Sequence, residues 1–189
     1  MCGIVGGRGG AVTKCIEQML NLISHRGPDH SDCWWNENIA LGHARLSILD
    51  TTSTSNQPFW DETGRYCLVF NGEIYNYQLI KERLVSIGVD FYSEGDTEVL
   101  IKALIHYGVD VLSELEGMFA FCFFDSFENS LLLARDKFGV KPLYYYNDTT
   151  QFMFASEYKS FLANSDFVAD VNHDTLYRTL LFMYNPGNE

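Results

Sequence analysis

The second residue of the chain carries the group with the most evident chemical potential. Methionine is normally trimmed when the next side chain is small, and loss of Met1 would leave Cys2 with both a thiol and a free α-amine. An α-amine has a pKa of about 7.7–8.0, so it can accept the thiol proton near neutral pH. Cys2 would then need no separate histidine to become a nucleophile. Judged by its position alone, Cys2 is more simply an ordinary second residue, and its assignment depends on partners elsewhere in the chain.

Asn71 and Gly72 form a pair that could stabilise the charge that such a nucleophile creates. They follow residues 66–70, an apolar segment with the composition of a strand. Asn-Gly is a favoured turn pair and needs no chemical role. A side-chain amide beside a glycine N–H is also a suitable pair of donors for the oxyanion that forms when a carboxamide is attacked. Both interpretations stay open, and the turn is the simpler one.

Two charged residues, Arg45 and Asp96, occupy positions from which they could bind a substrate. Arg45 lies in an apolar, alternating strand pattern, where its guanidinium could hold a carboxylate through two hydrogen bonds. An exposed strand position or a structural ion pair explains this arginine equally well. Asp96 opens a helical pattern, where aspartate is a good N-cap residue. Capping does not exclude a second role in binding a cationic group.

The composition argues against several classes of function. The 13 Lys and Arg residues against 25 Asp and Glu residues give a net charge of −12, which disfavours nucleic acid and anionic membranes as partners. The five cysteines include no Cys-x-x-Cys pair and the histidines lack ligand spacing, so no metal site is expected. Unpaired thiols, the lack of a signal-peptide pattern and the shortness of the apolar run 118–124 together indicate a cytoplasmic protein.

Periodicity predicts a protein that contains both helices and strands. Helices are expected over residues 12–23, 77–87 and 97–107. The second helix should bury Leu79, Ile80, Leu84 and Ile87, and the second and third should end at Gly88 and Gly108. Strands are expected over residues 3–7, 39–48, 66–71, 118–125, 131–135, 143–146 and 151–155. The polar connections 125–129 and 147–150 suit hairpins, so the sheets should be antiparallel and the fold a layered α+β sandwich.

Several segments, taken together and in order, resemble a known family. They are MCGIVG (1–6), HRGPD (25–29), HARLSILD (43–50), NGEIYN (71–76), GDTEV (95–99), EGMFAF (116–121), RDKFGVKPLY (135–144) and ASEYK (155–159). Each segment alone is weak, but their order and spacing from Cys2 to about Leu162 resemble the glutamine-hydrolysing asparagine synthetase family. The similarity is to its N-terminal class II glutamine amidotransferase domain.

The resemblance implies a fold and a reaction. The fold would be that of the N-terminal-nucleophile hydrolases, an α+β, four-layer αββα sandwich of two antiparallel sheets flanked by helices. Cys2 would attack the side-chain amide of glutamine, and its own α-amine would pass the proton to the departing ammonia. The Asn71 side chain and the Gly72 N–H would stabilise the oxyanion. Water would then cleave the γ-glutamyl thioester to glutamate.

The resemblance also implies how glutamine is held. Arg45 would bind the α-carboxylate, while Glu73 and Asp96 would bind the α-ammonium. The main chain of the segment after the arginine would line the same pocket, at Leu46, Ser47, Ile48 and Leu49. The charges agree with this independently, because a zwitterionic amino acid needs a cation at one end and one or two anions at the other.

The expected organisation is an amidotransferase domain over residues 1–165, followed at 166–189 by the start of a connector to a synthetase domain that the chain lacks. No cofactor is expected in this domain, since the resemblance places ATP and Mg²⁺ in the synthetase half. The implied partners are L-glutamine and either a C-terminal synthetase domain or a separate synthetase subunit, and a homodimer is left open.

Three alternatives remain beside ammonia supply for asparagine synthesis. The chain could be the glutaminase domain of a related amidotransferase that amidates a sugar or another carboxylate. It could be an N-terminal-nucleophile hydrolase of another amide, which the charges of Arg45, Glu73 and Asp96 disfavour. If Met1 is retained, the blocked amine cannot act as a base, and the chain would be a non-catalytic module that binds glutamine or a partner.

Overall fold

Strands and helices fill most of the chain, and the structure, a computed structural model, describes residues 1–47 and 53–184. In chain order the elements are β1 Gly3–Arg8, α1 Gly10–Asn21, β2 His30–Trp35, β3 Ile39–Arg45, β4 Phe59–Trp60, β5 Tyr66–Ile74, α2 Tyr77–Ser86, α3 Asp96–Tyr107, β6 Gly117–Asp125, β7 Ser130–Arg135, β8 Tyr144–Asn147, β9 Phe152–Ala155 and α4 His173–Phe182.

The described strands form two sheets, in which all neighbours run antiparallel. The first sheet has the order β2-β3-β1-β9-β8, and the second has the order β4-β5-β6-β7. The pairs β6–β7 and β8–β9 are the two hairpins that the sequence predicts. Short polar connections therefore led to the correct sheet type.

The sheets pack face to face, and helices cover their outer faces. Helix α1 buries Ile16 and Met19 against the first sheet, while α3 buries Leu100 and Leu104 in the cluster that covers the second. A third apolar cluster lies between the sheets and includes Ile4, Leu41, Val69, Phe124 and Phe154. The four-layer αββα sandwich is thus confirmed.

The layer between the sheets changes from apolar to polar at one end. Successive side chains of a strand point to opposite faces, so every second residue of a strand shares the inward face. The apolar parts of three such rows contain Ile4 on β1, Leu41 on β3 and Val69 on β5. The same rows continue to Cys2 before β1, to His43 and Arg45 on β3, and to Asn71 and Glu73 on β5. Polar side chains from three strands therefore meet at one edge of the sandwich.

The glycines that were expected to end two helices do so. Gly88 has φ 89°, its N–H donates to Val85 O at 2.9 Å, and the next N–H, of Val89, donates to Leu84 O at 3.1 Å. This is the Schellman arrangement, which satisfies carbonyls at the end of α2. Gly108 follows α3 with φ 62°. A positive φ has a low conformational energy only for glycine, so the residue type at these two positions is enough to end each helix.

The turn interpretation of Asn71 and Gly72 is wrong. Strand β5 continues through both residues to Ile74 and stays paired with β6 along its whole length. Pairing with a distant strand thus outweighs the local preference of Asn-Gly for a turn. A Cβ on Gly72 would lie 2.3 Å from Met118 O, so the close approach of β6 requires a glycine here.

Other differences lie at the edges of elements. Leu79 and Ile87 are 66% and 57% exposed, so the predicted apolar face of α2 is only partly buried, through Ile80 and Leu84. Strands β2 and β4 were not predicted; β2 has no fully buried residue, and β4 is only two residues long. The strand expected over 39–48 ends at Arg45, and Ile48 lies outside the described residues.

Phe154→Ala should lower the free energy of unfolding by about 3–5 kcal/mol, because the ring is fully buried between the sheets and its removal leaves a cavity. Denaturant titration measures this change. Phe138→Ala is the matched control, since that ring is 90% exposed and its loss should cost less than about 0.5 kcal/mol. Equal losses in the two variants would contradict the sandwich core described above.

Candidate active site

The polar end of the inter-sheet layer opens into a cleft of about 630 Å³, measured with its open mouth. Most of the site residues expected from the sequence line it, namely Cys2, Arg45, Leu46, Asn71, Gly72, Glu73 and Asp96. Ser47 does not line the cleft, and its N–H donates to Asp29 Oδ2 at 2.8 Å. Ile48 and Leu49 lie outside the described residues. The fold therefore gathers residues from β3, β5 and α3, together with Cys2 just before β1 and Leu46 just after β3, into a single site.

Cys2 stands at the start of β1 with its sulfur against the main chain that follows β3. The Leu46 N–H lies 3.4 Å from Cys2 Sγ, and Sγ lies 3.6 Å from Leu46 O. These two contacts hold the sulfur beside the main chain that borders the cleft. Met1 still precedes Cys2, lines the cleft and is 58% exposed. Its removal would therefore place a free amine at the cleft beside the thiol.

The loop after α1 supports Cys2 from behind. Arg26 Nε donates to Cys2 O at 2.9 Å, and Arg26 Nη1 contacts Glu157 Oε1 at 3.0 Å. Glu157 also contacts His25 at 3.0 Å and Lys159 at 3.1 Å. Burial raises the pKa of Glu157, but the hydrogen bonds from Arg26, Lys159 and His25 outweigh it and lower the pKa to about 2. His25 thus supports this loop and is not among the residues that line the cleft.

One edge of β5 presents main-chain donors to the cleft. Strand β4 pairs with only two residues of this edge. Farther along, Gln57 Oε1 accepts the Phe70 N–H at 2.6 Å, and Asp96 Oδ2 accepts the Ile74 N–H at 2.9 Å. N–H groups two residues apart point the same way in a strand, so the Gly72 N–H faces the same edge between these two positions. Gly72 lines the cleft there.

The Asn71 side chain offers a second donor. Asn71 is 1% exposed, and its Nδ2 is buried without a hydrogen-bond partner within residues 1–47 and 53–184. A buried donor without a partner costs about 1–3 kcal/mol, and such groups occur mainly where function requires them. The amide of Asn71 and the N–H of Gly72 together form a ready pair of donors for an oxyanion.

The charged groups of the cleft have the signs that an amino acid requires. Arg45 is 6% exposed, and its Nη1 donates to Asn56 Oδ1 at 2.6 Å. Asp96 is also 6% exposed; burial raises its pKa to about 6, and nearby Glu73 raises it further, against lowering by main-chain hydrogen bonds. A cation placed beside Glu73 and Asp96 would relieve this unfavourable pairing of carboxylates.

Asp96 is the first residue of α3 and not its N-cap, which is Gly95. A second buried carboxylate, that of Glu98 in the first turn of α3, holds the loop that precedes the helix. Glu98 Oε2 accepts the Ser93 N–H and hydroxyl, both at 2.7 Å, and Glu98 Oε1 pairs with Lys102 Nζ at 2.9 Å. Glu98 is 2% exposed, so these bonds replace its hydration and fix the entry to α3.

Sequence reasoning did not assign several cleft-lining residues to the site, among them His43, Gln57 and Lys141. His43 and Lys141 lie within the family-like segments, which was the available signal, although no role was assigned to them. Gln57 carried no signal, because its part in holding β5 depends on a contact that spans 13 residues of sequence.

Among the residues that the structure describes, no group of three or more His, Cys, Asp or Glu side chains could hold a metal ion. No helix in residues 1–47 and 53–184 is long and apolar enough to cross a membrane.

Sequence comparison finds relatives that are much longer than this chain. Asparagine synthetase [glutamine-hydrolyzing] 1 of Bacillus subtilis is 37% identical over 193 residues, which cover 98% of this chain and 30% of the relative. The putative asparagine synthetase [glutamine-hydrolyzing] 2 of Methanocaldococcus jannaschii is 37% identical over 98% of this chain and 40% of its own length. Amidase chry2 of Gibberella zeae is 41% identical over 85% of this chain and 24% of its own length. The chain thus spans less than half of each of these relatives.

Comparison with solved structures identifies the same architecture. The glutamine phosphoribosylpyrophosphate amidotransferase of B. subtilis superposes with a TM-score of 0.74 and 22% identity, over 86% of this chain and 43% of that protein. At this identity the match supports the fold alone, and the fold is that of the N-terminal-nucleophile amidotransferases. A family model described as a glutamine amidotransferase domain matches residues 1–189, and the chain therefore belongs to the glutamine amidotransferase domain family.

Proposed function

We propose that this domain hydrolyses L-glutamine to glutamate and ammonia through a thioester on Cys2. The observation that carries the proposal is the position of Cys2 Sγ in the same cleft as Gly72 and as the Asn71 Nδ2, which has no hydrogen-bond partner within residues 1–47 and 53–184. A thiol beside such donors is suited to attack on a carbonyl and not to metal or phosphate chemistry.

The reaction begins once Met1 has been removed. The α-amine of Cys2 takes the thiol proton, and Sγ attacks the side-chain carbonyl carbon of glutamine. The Asn71 amide and the Gly72 N–H stabilise the negative oxygen of the tetrahedral intermediate. The carbon–nitrogen bond then breaks, the amine returns its proton to the leaving nitrogen, and ammonia departs. Water, deprotonated by the same amine, cleaves the thioester to release glutamate and restore the thiol.

The charged α-carboxylate and α-ammonium of glutamine determine how the substrate is oriented in the cleft. Arg45 binds the α-carboxylate, and Glu73 and Asp96 bind the α-ammonium, with the main chain after β3, at Leu46, along the side of the substrate. Ile48 and Leu49, which lie outside the described residues, stay proposed as part of this wall. A neutral amide side chain then extends toward Cys2, so that recognition of the charged end places the reacting end.

The ammonia is proposed to serve an asparagine-synthetase-like ligase half, which the relatives named asparagine synthetases support. Residues 166–189 are proposed as the start of the connector to that half; α4 within them buries no residue against the sandwich. ATP and Mg²⁺ are assigned to that half and not to this domain. The amidases among the relatives favour, as the alternative, an acceptor other than aspartate.

Five cysteines without a disulfide support a cytoplasmic location.

Cys2→Ala should abolish glutamate release, because no other group in the cleft can form the thioester. A coupled glutamate assay on protein whose intact mass shows loss of Met1 measures this. Cys33→Ala is the matched control, since Cys33 is also partly exposed but lies on β2 and outside the cleft. Equal activity of Cys2→Ala and wild type would refute the mechanism, and protein that retains Met1 should be inactive.

Glutamine binding should weaken as the pH falls below about 6, because the pKa of Asp96 is raised to about 6 and its carboxylate becomes neutral below that value. Calorimetric titration of glutamine into Cys2→Ala protein measures this dissociation constant without turnover. Asp96→Asn should weaken binding about tenfold or more at neutral pH, the loss expected for one charge-assisted hydrogen bond, and remove the dependence near pH 6.

The effect of Asp96→Asn on stability distinguishes a role of Asp96 in binding glutamine from a role in holding the fold together. The folded pKa of Asp96 lies above its ordinary value of 3.8, so the ionised form is disfavoured in the fold, and stability is gained as the pH falls between these values. Asp96→Asn should therefore unfold at the same or a higher temperature at neutral pH, and the exposed Asp110→Asn should change neither property. A lower unfolding temperature with unchanged binding would contradict the assignment.

A further inference from the structure

His43 is a cleft residue to which the proposed reaction assigns no role. It lies on β3 in the inward row that leads to Arg45, is fully buried and lines the cleft. Its Nε2 is 3.1 Å from Phe70 O. A carbonyl can only accept, so Nε2 must carry the proton of this hydrogen bond.

Because Nε2 of His43 carries a proton, the protonation of Nδ1 depends on whether the ring is neutral or charged. Burial lowers the pKa of His43 to about 3, and Arg45 and His30 lower it further, against the bond to Phe70 O, which raises it. The ring is therefore neutral, with its single proton on Nε2, and Nδ1 carries a lone pair. Nδ1 is buried and has no hydrogen-bond partner in the part of the chain that the structure describes. A buried acceptor of this kind calls for a donor from a bound molecule.

The location of the ring indicates which part of the substrate could supply that donor. In the register of β1 and β3, Ile4 is opposite His43, and Cys2 is the next residue on the same face. Such diagonal neighbours are about 7–8 Å apart, within reach of a small ligand group between them. On the other side, the bond to Phe70 O ties the ring to the residue that precedes Asn71. His43 therefore lies between the nucleophile and the oxyanion donor.

We propose that His43 Nδ1 accepts a hydrogen bond from the –NH₂ of the scissile carboxamide. The inference rests on the proposed glutamine hydrolysis and adds a specificity-determining residue to it. Asn71 donates to the carbonyl oxygen of the amide while His43 accepts from its nitrogen, so the pair recognises both halves of a primary carboxamide. A carboxylate or an ester offers no N–H at this point and leaves Nδ1 unpaired, which disfavours the product glutamate and ester analogues.

Two substitutions separate the two nitrogens of the ring. His43→Gln places an amide nitrogen near the position of Nε2, so it keeps a donor for Phe70 O but lacks the acceptor at Nδ1. His43→Asn places its oxygen near the position of Nδ1, so it keeps the acceptor but lacks the donor for Phe70 O. Each variant, and wild type, is assayed with L-glutamine and with the γ-methyl ester of L-glutamate, which has no amide N–H.

The ratio of kcat/KM for glutamine to kcat/KM for the ester is the decisive measurement, because general damage to the site affects both substrates alike. In His43→Gln this ratio should fall about 5- to 100-fold, the factor expected for one buried hydrogen-bonding group left unpaired. In His43→Asn it should stay within about threefold of wild type, whatever the loss of absolute activity.

An unchanged ratio in His43→Gln, or an equal fall in both variants, would overturn the inference and leave His43 as a structural residue. If His43→Gln does not fold, a fallen ratio in His43→Asn overturns it and a retained ratio supports it. Failure of the proposed function looks different: wild type would then hydrolyse neither substrate, or Cys2→Ala would retain activity on both.

Discussion

The structure depends on the alternation of side chains in two antiparallel sheets that pack face to face. The inward rows are apolar over most of their length, and this burial holds the sheets together. Because successive inward residues differ by two positions, each strand can pass from core to site without leaving its row. Cys2, His43 and Asn71 are the continuations of such rows. The packing of the sandwich core thereby fixes the positions of these three residues, which line the cleft.

The site contains polar groups that the fold alone does not satisfy. Among the described residues, the Nδ2 of Asn71 has no acceptor and the Nδ1 of His43 has no donor, and the carboxylate of Asp96 is buried beside Glu73. Each of these features costs free energy in the protein alone, and the proposed binding of a carboxamide and an ammonium would offset that cost. They therefore indicate a site whose binding groups are arranged before the substrate arrives, which reduces the reorganisation needed during reaction.

Two polar networks outside the cleft hold the loops that carry this arrangement. Arg26 joins the main chain of Cys2 to Glu157, and Glu98 joins Lys102 to the loop before α3. Both networks are partly or wholly buried, so their charges are paired and hydrogen-bonded as buried charges must be. They support Cys2 and the start of α3 although none of their side chains lines the cleft, which explains why family-like segments extend beyond the residues that line it.

The sequence by itself determined the locally encoded features. Glycine ended α2 and α3, polar connections produced the hairpins, and the family-like segments indicated thiol chemistry of Cys2 on an amino acid, in agreement with the charges of Arg45, Glu73 and Asp96. Only the tertiary structure decided that Asn71 and Gly72 lie in a strand and not in a turn, and that one nitrogen of His43 has no partner among residues 1–47 and 53–184. These outcomes depend on hydrogen bonds and burial contributed by residues far apart in the chain. No local pattern contains that information, because a strand edge or a buried nitrogen is defined by what packs against it.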